Sequence, residues 1–313
     1  MDGMDVDGVS AGQIDLERFA AEVGGRDAGE VAIAGAGTRG GAPPGVRTVH
    51  APGGIAWFEP AEMTVCCGAG TPVDVLAATL AERGQRVGAL PAGGTVGGAL
   101  AAGSSALTRL GHGPLRDALL QARYVSAAGE VVKAGGPTVK NVSGFDLCRV
   151  LVGSWGTLGF IGEVILRTRP LPPVAKWYST PSETPSDLLA RLHRPASVLW
   201  DGSTAWVLLE GHADDIAALA RGSGLVECDG PPPLPAGGRW SIPPRQIGTL
   251  AGTGRYVAEV GVGIVHHEHP APPREVDPVV RTLNERIKDE LDPWHRLNPG
   301  IDLFAAGPVP SRR

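Results

Sequence analysis

Apolar residues recur at helical spacing near both ends of this chain. Four of them, three or four positions apart, predict a helix over 15–23; they are Leu16, Phe19, Ala20 and Val23. A second stripe follows Asp277 and Pro278, and an aspartate before a proline is typical of the start of a helix. This stripe consists of Val280, Leu283, Ile287 and Leu291, and Asn298-Pro-Gly300 follows it as a stop signal.

Short extended segments fill the first half of the chain between these helices. Apolar runs predict strands at 31–34, 47–50, 55–58 and 63–67. Thr71 before Pro72 predicts a capped helix that runs to Gly84, so strand, turn and helix together indicate a βαβ-like lobe. Further on, 119–126 and 130–134 are extended and joined at Ala127-Ala-Gly129, which predicts an antiparallel hairpin.

A proline-rich run at 170–173 marks a domain boundary. Beyond it the chain alternates predicted strands at 197–200, 204–210 and 255–261 with predicted helices at 186–193 and 213–221. The sequence therefore predicts an α+β protein in three stretches. They are a two-subdomain domain over 1–173, divided near residue 90, a small α+β cap domain over 174–275, and a C-terminal helix and tail over 276–313 that return to the first domain.

Composition and charge exclude several classes of protein. The 313 residues include 28 Lys+Arg against 33 Asp+Glu without a basic block, so no nucleic-acid surface is expected. The first 17 residues are acidic and lack the features of a signal peptide, and no apolar run reaches the roughly 20 residues of a membrane span. We therefore predict a cytoplasmic protein.

The four cysteines of the chain are Cys66, Cys67, Cys148 and Cys228. Their spacing is not that of a disulfide framework, a metal site or an iron–sulfur cluster, so we expect them to be small buried hydrophobic residues.

Three clusters of glycine are the strongest functional signal. They lie at 35–41, at 91–98 with Gly103 beyond, and at 153–159. Glycine lacks the Cβ that blocks close approach and tolerates positive φ, so such loops bring bare backbone against a bulky partner. Several loops along the chain suggest a long ligand, and a dinucleotide has that shape.

The first cluster does not predict a Rossmann site. Gly35, Gly37 and Gly40 match G-x-G-x-x-G, but Pro43 and Pro44 follow, and a helix cannot continue through them. The loop could instead bind an anion with its own N–H groups, or be a glycine-rich surface turn. The second cluster could likewise be a close-packed Gly/Ala helix.

Seven motifs in a fixed order carry a resemblance to a known family. They are Gly35–Gly41, Gly68–Pro72, Pro91–Gly98, Gly113–Asp117, Lys140–Asp146, Gly153–Gly159 and Asp292–Gly300. This set resembles the FAD-linked oxidases of the vanillyl-alcohol oxidase/p-cresol methylhydroxylase (PCMH) type. Within them it is most similar to the FAD-binding subunit of glycolate oxidase. The likeness is dense over 30–170, sparse in the middle, and returns at 285–300.

The resemblance implies a PCMH-type domain in which FAD lies extended between two subdomains. Carried over position by position, the first pyrophosphate loop is Gly35, Ala36, Gly37, Thr38 and Arg39. The second contact is Thr95, Gly97 and Gly98, and the third turn offers Gly156, Gly159 and Ile161. Covalent members carry a histidine where this chain has Thr38, so the resemblance implies non-covalent FAD.

Histidines concentrate at 266–269, after the strand that starts at Arg255. A neutral histidine beside a flavin can take a hydroxyl proton during hydride transfer, so His266 and Arg255 are the catalytic candidates. A metal site is not expected, because His266 and His267 are neighbours on a strand and point to opposite faces. A solvated loop is the alternative interpretation.

The resemblance implies the FAD-binding subunit of a glycolate-oxidase-like dehydrogenase that acts on the CH–OH group of a small 2-hydroxy acid. Electrons would pass through the flavin to a second flavoprotein subunit and an iron–sulfur subunit, and any membrane contact would be made through these partners. Two alternatives stay open. One is a self-sufficient FAD oxidase of an alcohol or sugar acid; the other is a non-catalytic assembly subunit.

Overall fold

The computed structural model describes residues 14–38, 43–136, 146–182, 184–273 and 275–304. Arg39 and most of the motif at 140–146 lie outside these ranges. Within them the helices are α1 (Leu16–Val23), α2 (Val73–Ala81), α3 (Val96–Ala101), α4 (Arg109–His112), α5 (Leu147–Leu151), α6 (Pro185–Arg191), α7 (Ala213–Gly222) and α8 (Pro278–Leu291). None of these helices is both long and apolar enough to cross a lipid bilayer.

The strands of the described ranges fall into two sets along the chain. The first set is β1 (Val31–Ile33), β2 (Arg47–Val49), β3 (Ile55–Glu59), β4 (Thr64–Gly68), β5 (Gln85–Arg86), β6 (Leu119–Val125), β7 (Val131–Gly135), β8 (Phe160–Arg167) and β9 (Arg169–Pro170). The second set is β10 (Val174–Pro181), β11 (Ser197–Trp200), β12 (Thr204–Gly211), β13 (Val226–Cys228), β14 (Gly238–Ser241), β15 (Tyr256–Glu259) and β16 (Ile264–His267).

Residue contacts divide the chain into two compact units. The first unit comprises the described residues within 1–104, 115–170 and 275–303, and the second those within 105–114, 171–274 and 304–313. Each unit combines helices with a β-sheet, which confirms the α+β class. The segment 105–114 clusters with the second unit, although the sequence placed it in the domain over 1–173.

The first unit is built on a five-stranded antiparallel sheet in the order β3-β4-β8-β6-β7. The predicted hairpin is confirmed: β6 and β7 pair around Gly129, whose φ is 81°. The expected βαβ-like lobe does not form around β4, because β4 pairs antiparallel with both of its neighbours. A separate parallel pair joins β1 to β2.

Capping residues explain most of the helix starts in this unit. Asp15 caps α1 by accepting the N–H of Arg18 at 2.9 Å, and Asp277 caps α8 by accepting the N–H of Val279 at 2.8 Å. The prediction that Thr71 caps α2 is wrong. Its hydroxyl instead donates to the carbonyl of Gly68 at 2.6 Å, so α2 begins after Pro72 without a side-chain cap.

The cysteines of the first unit are packing residues. Cys66 and Cys67 lie buried in β4, and Cys148 lies buried in α5. Burial raises the pKa of Cys66 and of Cys67 to about 12, and burial also raises the pKa of Cys148. These three thiols are therefore protonated and unreactive at neutral pH, which confirms the prediction that they act as small hydrophobes.

The second unit contains a seven-stranded antiparallel sheet in the order β13-β10-β12-β11-β15-β16-β14. One face packs on α6, α7 and the turn at 244–250 to form an apolar core. Side chains alternate between the faces, so the opposite face carries a different set. Register places Ser197, Leu199, Glu259 and His266 on that opposite face.

Candidate functional site

The three glycine clusters meet within the first unit. We call residues 34–38 the first loop, 91–98 the second loop and 153–159 the third turn. A Cβ at Gly35 would lie 3.0 Å from Oγ1 of Thr95, so the first loop touches the second. A Cβ at Gly156 would lie 3.2 Å from Cγ2 of Ile33, so the third turn adjoins the strand that leads into the first loop. The structure therefore brings the three predicted segments together.

Helix α3 joins the second loop to the third turn. Thr95 caps the start of the helix by accepting the N–H of Gly98 at 3.1 Å. At the other end, the N–H groups of Gly153 and Trp155 donate to the carbonyls of Leu100 and Ala101 at 3.0 and 2.8 Å. These bonds satisfy carbonyls that a helix end leaves unpaired, so the turn is fixed to the helix.

Some of the predicted glycines are required by the packing of the protein itself. A Cβ at Gly97 would lie 2.7 Å from Cβ of Ala69, and one at Gly156 would lie 2.7 Å from Nδ2 of Asn298. A Cβ at Gly159 would lie 2.5 Å from the ring of Tyr124. No side chain fits at these three positions, whatever else the loops contact.

Other glycines in the same segments face open space. Gly37 in the first loop, Gly93 in the second and Gly153 in the third turn have φ values of 71°, 71° and 84°. A Cβ at any of them would meet nothing within 4 Å. Each segment thus presents bare, left-handed backbone to its surroundings, which is the form in which a loop can hold a phosphate closely. The residues present fit an elongated phosphate-bearing cofactor.

The backbone N–H groups of Gly97 and Gly98 in the second loop bond within the protein, although the sequence placed these residues in the second cofactor contact. The N–H of Gly97 donates to the carbonyl of Ala69 at 2.7 Å, and the N–H of Gly98 donates to Thr95. The two donors that the sequence suggested for a ligand are therefore occupied within the protein. Their contribution is close packing, because the start of α3 must lie against the end of β4.

The remaining predicted residues fall in or beside the same segments. Ala36 and Thr38 belong to the first loop, and Arg39 follows outside the described residues. Ile161 lies in β8 opposite Tyr124, with its side chain in the core under the sheet. The pairing of β8 with β4 ends where Glu163 lies opposite Gly68, and the backbone of Ile161 lies beyond that point.

A histidine–glutamate pair lies on the polar face of the second unit. Nε2 of His266 lies 3.0 Å from Oε1 of Glu259, and Glu259 is only 4% exposed. Val257 lies directly opposite His266 in the register, which puts Glu259 on the same face two residues away. Glu259 is not among the residues predicted from the sequence. The feature that could have identified it is a single carboxylate at the end of an apolar strand. Such a carboxylate needs a partner, because burying an unpaired charge is costly.

Arg255 is not part of this pair. It precedes β15 and is exposed, and its backbone N–H donates to Oε1 of Glu268 at 2.7 Å. The residue that shares a hydrogen bond with His266 is therefore Glu259.

The neighbouring histidine has a structural role on the other face. His267 is fully buried and stacks on Trp240 with ring centres 3.9 Å apart. Its Nδ1 accepts the N–H of His269 at 2.9 Å, and burial lowers the pKa of His267, so the ring is neutral. His266 and His267 thus point apart, as the alternation of a strand predicts. The described ranges contain no group of three or more side chains suited to a metal ion.

Two more polar groups lie on the face that carries His266, one of them buried and the other half-buried. Ser197 is 1% exposed, and its Oγ has no hydrogen-bond partner among the described residues. Glu210 lies at the end of β12 and pairs with His112 of α4 at 3.0 Å. This face therefore brings hydroxyl, imidazole and carboxylate groups together, whereas the opposite face carries the apolar core of the unit.

Comparison with known proteins identifies the class of domain. Residues 46–135 match the family model of the FAD binding domain. The chain is 35% identical over 123 residues to the glycolate oxidase subunit GlcE of Escherichia coli (strain K12), covering 38% of this chain and 35% of the relative. It is 32% identical over 145 residues to the glycolate oxidase subunit GlcD of Bacillus subtilis (strain 168), covering 44% and 31%.

Among solved structures, an alkyldihydroxyacetonephosphate synthase shares the fold. It matches with a TM-score of 0.64 over 91% of this chain and 74% of its own, at 14% identity. The family model and the two relatives confirm the resemblance to the FAD-linked oxidases of the PCMH type, and they confirm FAD as the cofactor. The chain spans about a third of the length of each of these two glycolate oxidase subunits.

Proposed function

We propose that this chain is the FAD-binding subunit of a glycolate-oxidase-like 2-hydroxy-acid dehydrogenase. The observation that carries the proposal is the meeting of three glycine segments, each with a left-handed glycine that faces open space. The match to the FAD binding domain and the two relatives named as glycolate oxidase subunits support it.

We further propose that the first loop and Thr95 hold the pyrophosphate of FAD, while the third turn and Ile161 contact its adenosine half. Gly35, Ala36, Gly37, Thr38 and Arg39 form the first contact. Thr95, together with Gly97 and Gly98, forms the second contact. Gly156 and Gly159 belong to the third. The bound flavin supplies the acceptor for hydride. Binding is non-covalent, since Thr38 offers no imidazole for a covalent link.

The proton chemistry is assigned to the polar face of the second unit. We propose that His266 accepts the proton of the substrate hydroxyl, because a neutral imidazole is the usual general base near neutral pH. Glu259 is then a positioning residue, because its carboxylate fixes the ring through Nε2 at 3.0 Å. Arg255, exposed beside the same strand, is retained as a candidate for attracting the substrate carboxylate.

The partners are part of the same proposal. The GlcE and GlcD relatives are each named as a subunit of glycolate oxidase, which supports a partner subunit that could take electrons from the flavin. We propose a second flavoprotein subunit and an iron–sulfur subunit for that role, in the cytoplasm, with membrane contact made only through them. A non-catalytic assembly role is the second candidate, favoured by the donors of Gly97 and Gly98 that are already occupied.

Anaerobic reduction separates these candidates. The FAD-loaded chain is expected to lose its visible flavin absorption on mixing with glycolate or D-lactate, and His266→Gln is expected to slow that step by about 10²–10⁴-fold. Glu259→Gln should slow it less, because it removes the carboxylate charge but leaves an oxygen that can hydrogen-bond the ring. Rates are measured by stopped-flow absorption.

The matched control is His193→Gln, since His193 is an exposed histidine of the same unit. It should leave the rate unchanged. Reduction of the His266→Gln protein at the unaltered rate would refute the general-base role. A wild-type chain that holds FAD but is reduced by neither acid would favour the assembly role.

A further inference from the structure

We propose that Asn298 is a positioning residue that holds the first loop and the third turn in their FAD-binding form. The inference rests on the proposed function, because it treats these two segments as cofactor contacts. It goes beyond that function in assigning their alignment to a residue far from both in sequence.

One side chain bonds to both segments. Oδ1 of Asn298 accepts the N–H of Ile33 at 2.8 Å, and Nδ2 donates to the carbonyl of Trp155 at 2.6 Å. Ile33 ends β1 just before the first loop, and Trp155 lies within the third turn. Asn298 is 5% exposed, so water does not readily replace either bond.

The bond to Trp155 stabilises an uncommon backbone. Trp155 has a φ of 53° and is followed by Gly156 at 71°. The left-handed region is unfavourable for a bulky residue, so its neighbours must hold it there. Asn298 also fills the space over Gly156, where a Cβ would lie 2.7 Å from its Nδ2.

An amide is the group that this position requires. Only an amide of this length offers one acceptor for Ile33 and one donor for Trp155. Asparagine also tolerates the left-handed backbone of residue 298 itself, where φ is 44°. An aspartate would keep the acceptor but would set a carboxylate oxygen against the carbonyl of Trp155.

Other residues anchor the segment around Asn298. Arg296 donates to several backbone carbonyls, and Asp292 accepts the N–H of Arg296 and of Leu297 at 3.1 and 2.8 Å. The N–H of Asn298 itself donates to the carbonyl of Val31 at 2.9 Å. A change of the Asn298 side chain should therefore loosen the two segments without detaching the C-terminal segment that follows α8.

The test compares Asn298→Asp and Asn298→Gly in the full chain. The glycine variant removes both side-chain bonds but accepts the left-handed backbone, so it guards against a failure to fold. Asn284→Asp is the control, because Nδ2 of Asn284 donates to the carbonyl of Val280 within α8 and not to either segment. Two quantities are measured: the dissociation constant for FAD, by titration of the deflavinated protein, and amide hydrogen exchange in the FAD-free protein.

Both Asn298 variants are expected to raise the dissociation constant about tenfold and to speed exchange at 33–38 and 153–157, with the control unchanged. Unchanged exchange at both segments would overturn the inference. Faster exchange with an unaltered dissociation constant would also overturn it, since the segments would then not be held for FAD. If the wild-type chain does not bind FAD, the proposed function fails, and the cofactor role of Asn298 fails with it. If the wild type binds and only the Asn298 prediction fails, the proposed function stands.

Discussion

Gly156→Val is expected to lower the free energy of unfolding by about 3–5 kcal/mol. A β-branched residue at a φ of 71° is strained, and its Cβ would lie 2.7 Å from Nδ2 of Asn298 and 3.3 Å from Cδ1 of Phe160. Both neighbours are packed, so the clash cannot be relieved by turning a side chain into solvent. Urea unfolding of the FAD-free protein measures the loss.

Gly37→Val is the matched comparison. Its φ is also 71°, but a Cβ there would meet nothing within 4 Å. The free energy of unfolding should fall by only about 1–2 kcal/mol, which is the cost of the backbone strain. The affinity for FAD should fall more than tenfold, because the new side chain occupies the space proposed for the cofactor. Equal losses of stability in the two variants would contradict the distinction between packed and open glycines. Unchanged FAD affinity in Gly37→Val would remove the first loop from the proposed site.

Arg296→Met is expected to cost about 3–5 kcal/mol of unfolding free energy. Arg296 is 2% exposed, and its guanidinium donates to four carbonyls at 2.8–3.0 Å. They belong to Val23, Gly24, Gly29 and Ala127. Methionine fills a similar volume but leaves these buried acceptors without donors, and each unpaired group is costly. Urea unfolding again gives the measurement.

The control for this substitution is Arg149→Met. Arg149 pairs with Asp146 at 2.9 Å, but both side chains are mostly exposed, so the pair should contribute less than about 1 kcal/mol. Arg296→Lys should fall between the two, because an ammonium cannot reach all four carbonyls at once. A stability of Arg296→Met close to that of the control would contradict the role of Arg296 as the link between the C-terminal segment and the first helix.

Local signals in the sequence were sufficient for much of the fold. Asp277 predicts the start of α8 because a cap acts on residues two or three positions away, and the apolar spacing of 15–23 predicts α1. The hairpin at Gly129 is confirmed for the same reason, since a tight turn needs only its own residues. For the histidines at 266–269 the sequence left a strand and a solvated loop both open, because the partners of β16, which are β14 and β15, are defined only by pairing.

The site could be predicted in outline but not in detail. Glycine clusters show that close approach occurs, yet Gly37 and Gly156 look alike in the sequence. Only the fold shows that Gly156 faces Asn298, whereas Gly37 faces open space. The same limit applies to Glu259, whose partner lies on the next strand, and to Asn298, which bonds residues far away in the chain.

The absorption spectrum of the purified full chain, followed by titration with FAD, tests whether the chain binds this cofactor. We expect a yellow protein, or a colourless one that takes up an equimolar amount of FAD, and release of unmodified FAD when the protein is denatured. A protein that is colourless as purified and shows no change in flavin absorption or fluorescence on titration would contradict the assignment of the three glycine segments to this cofactor.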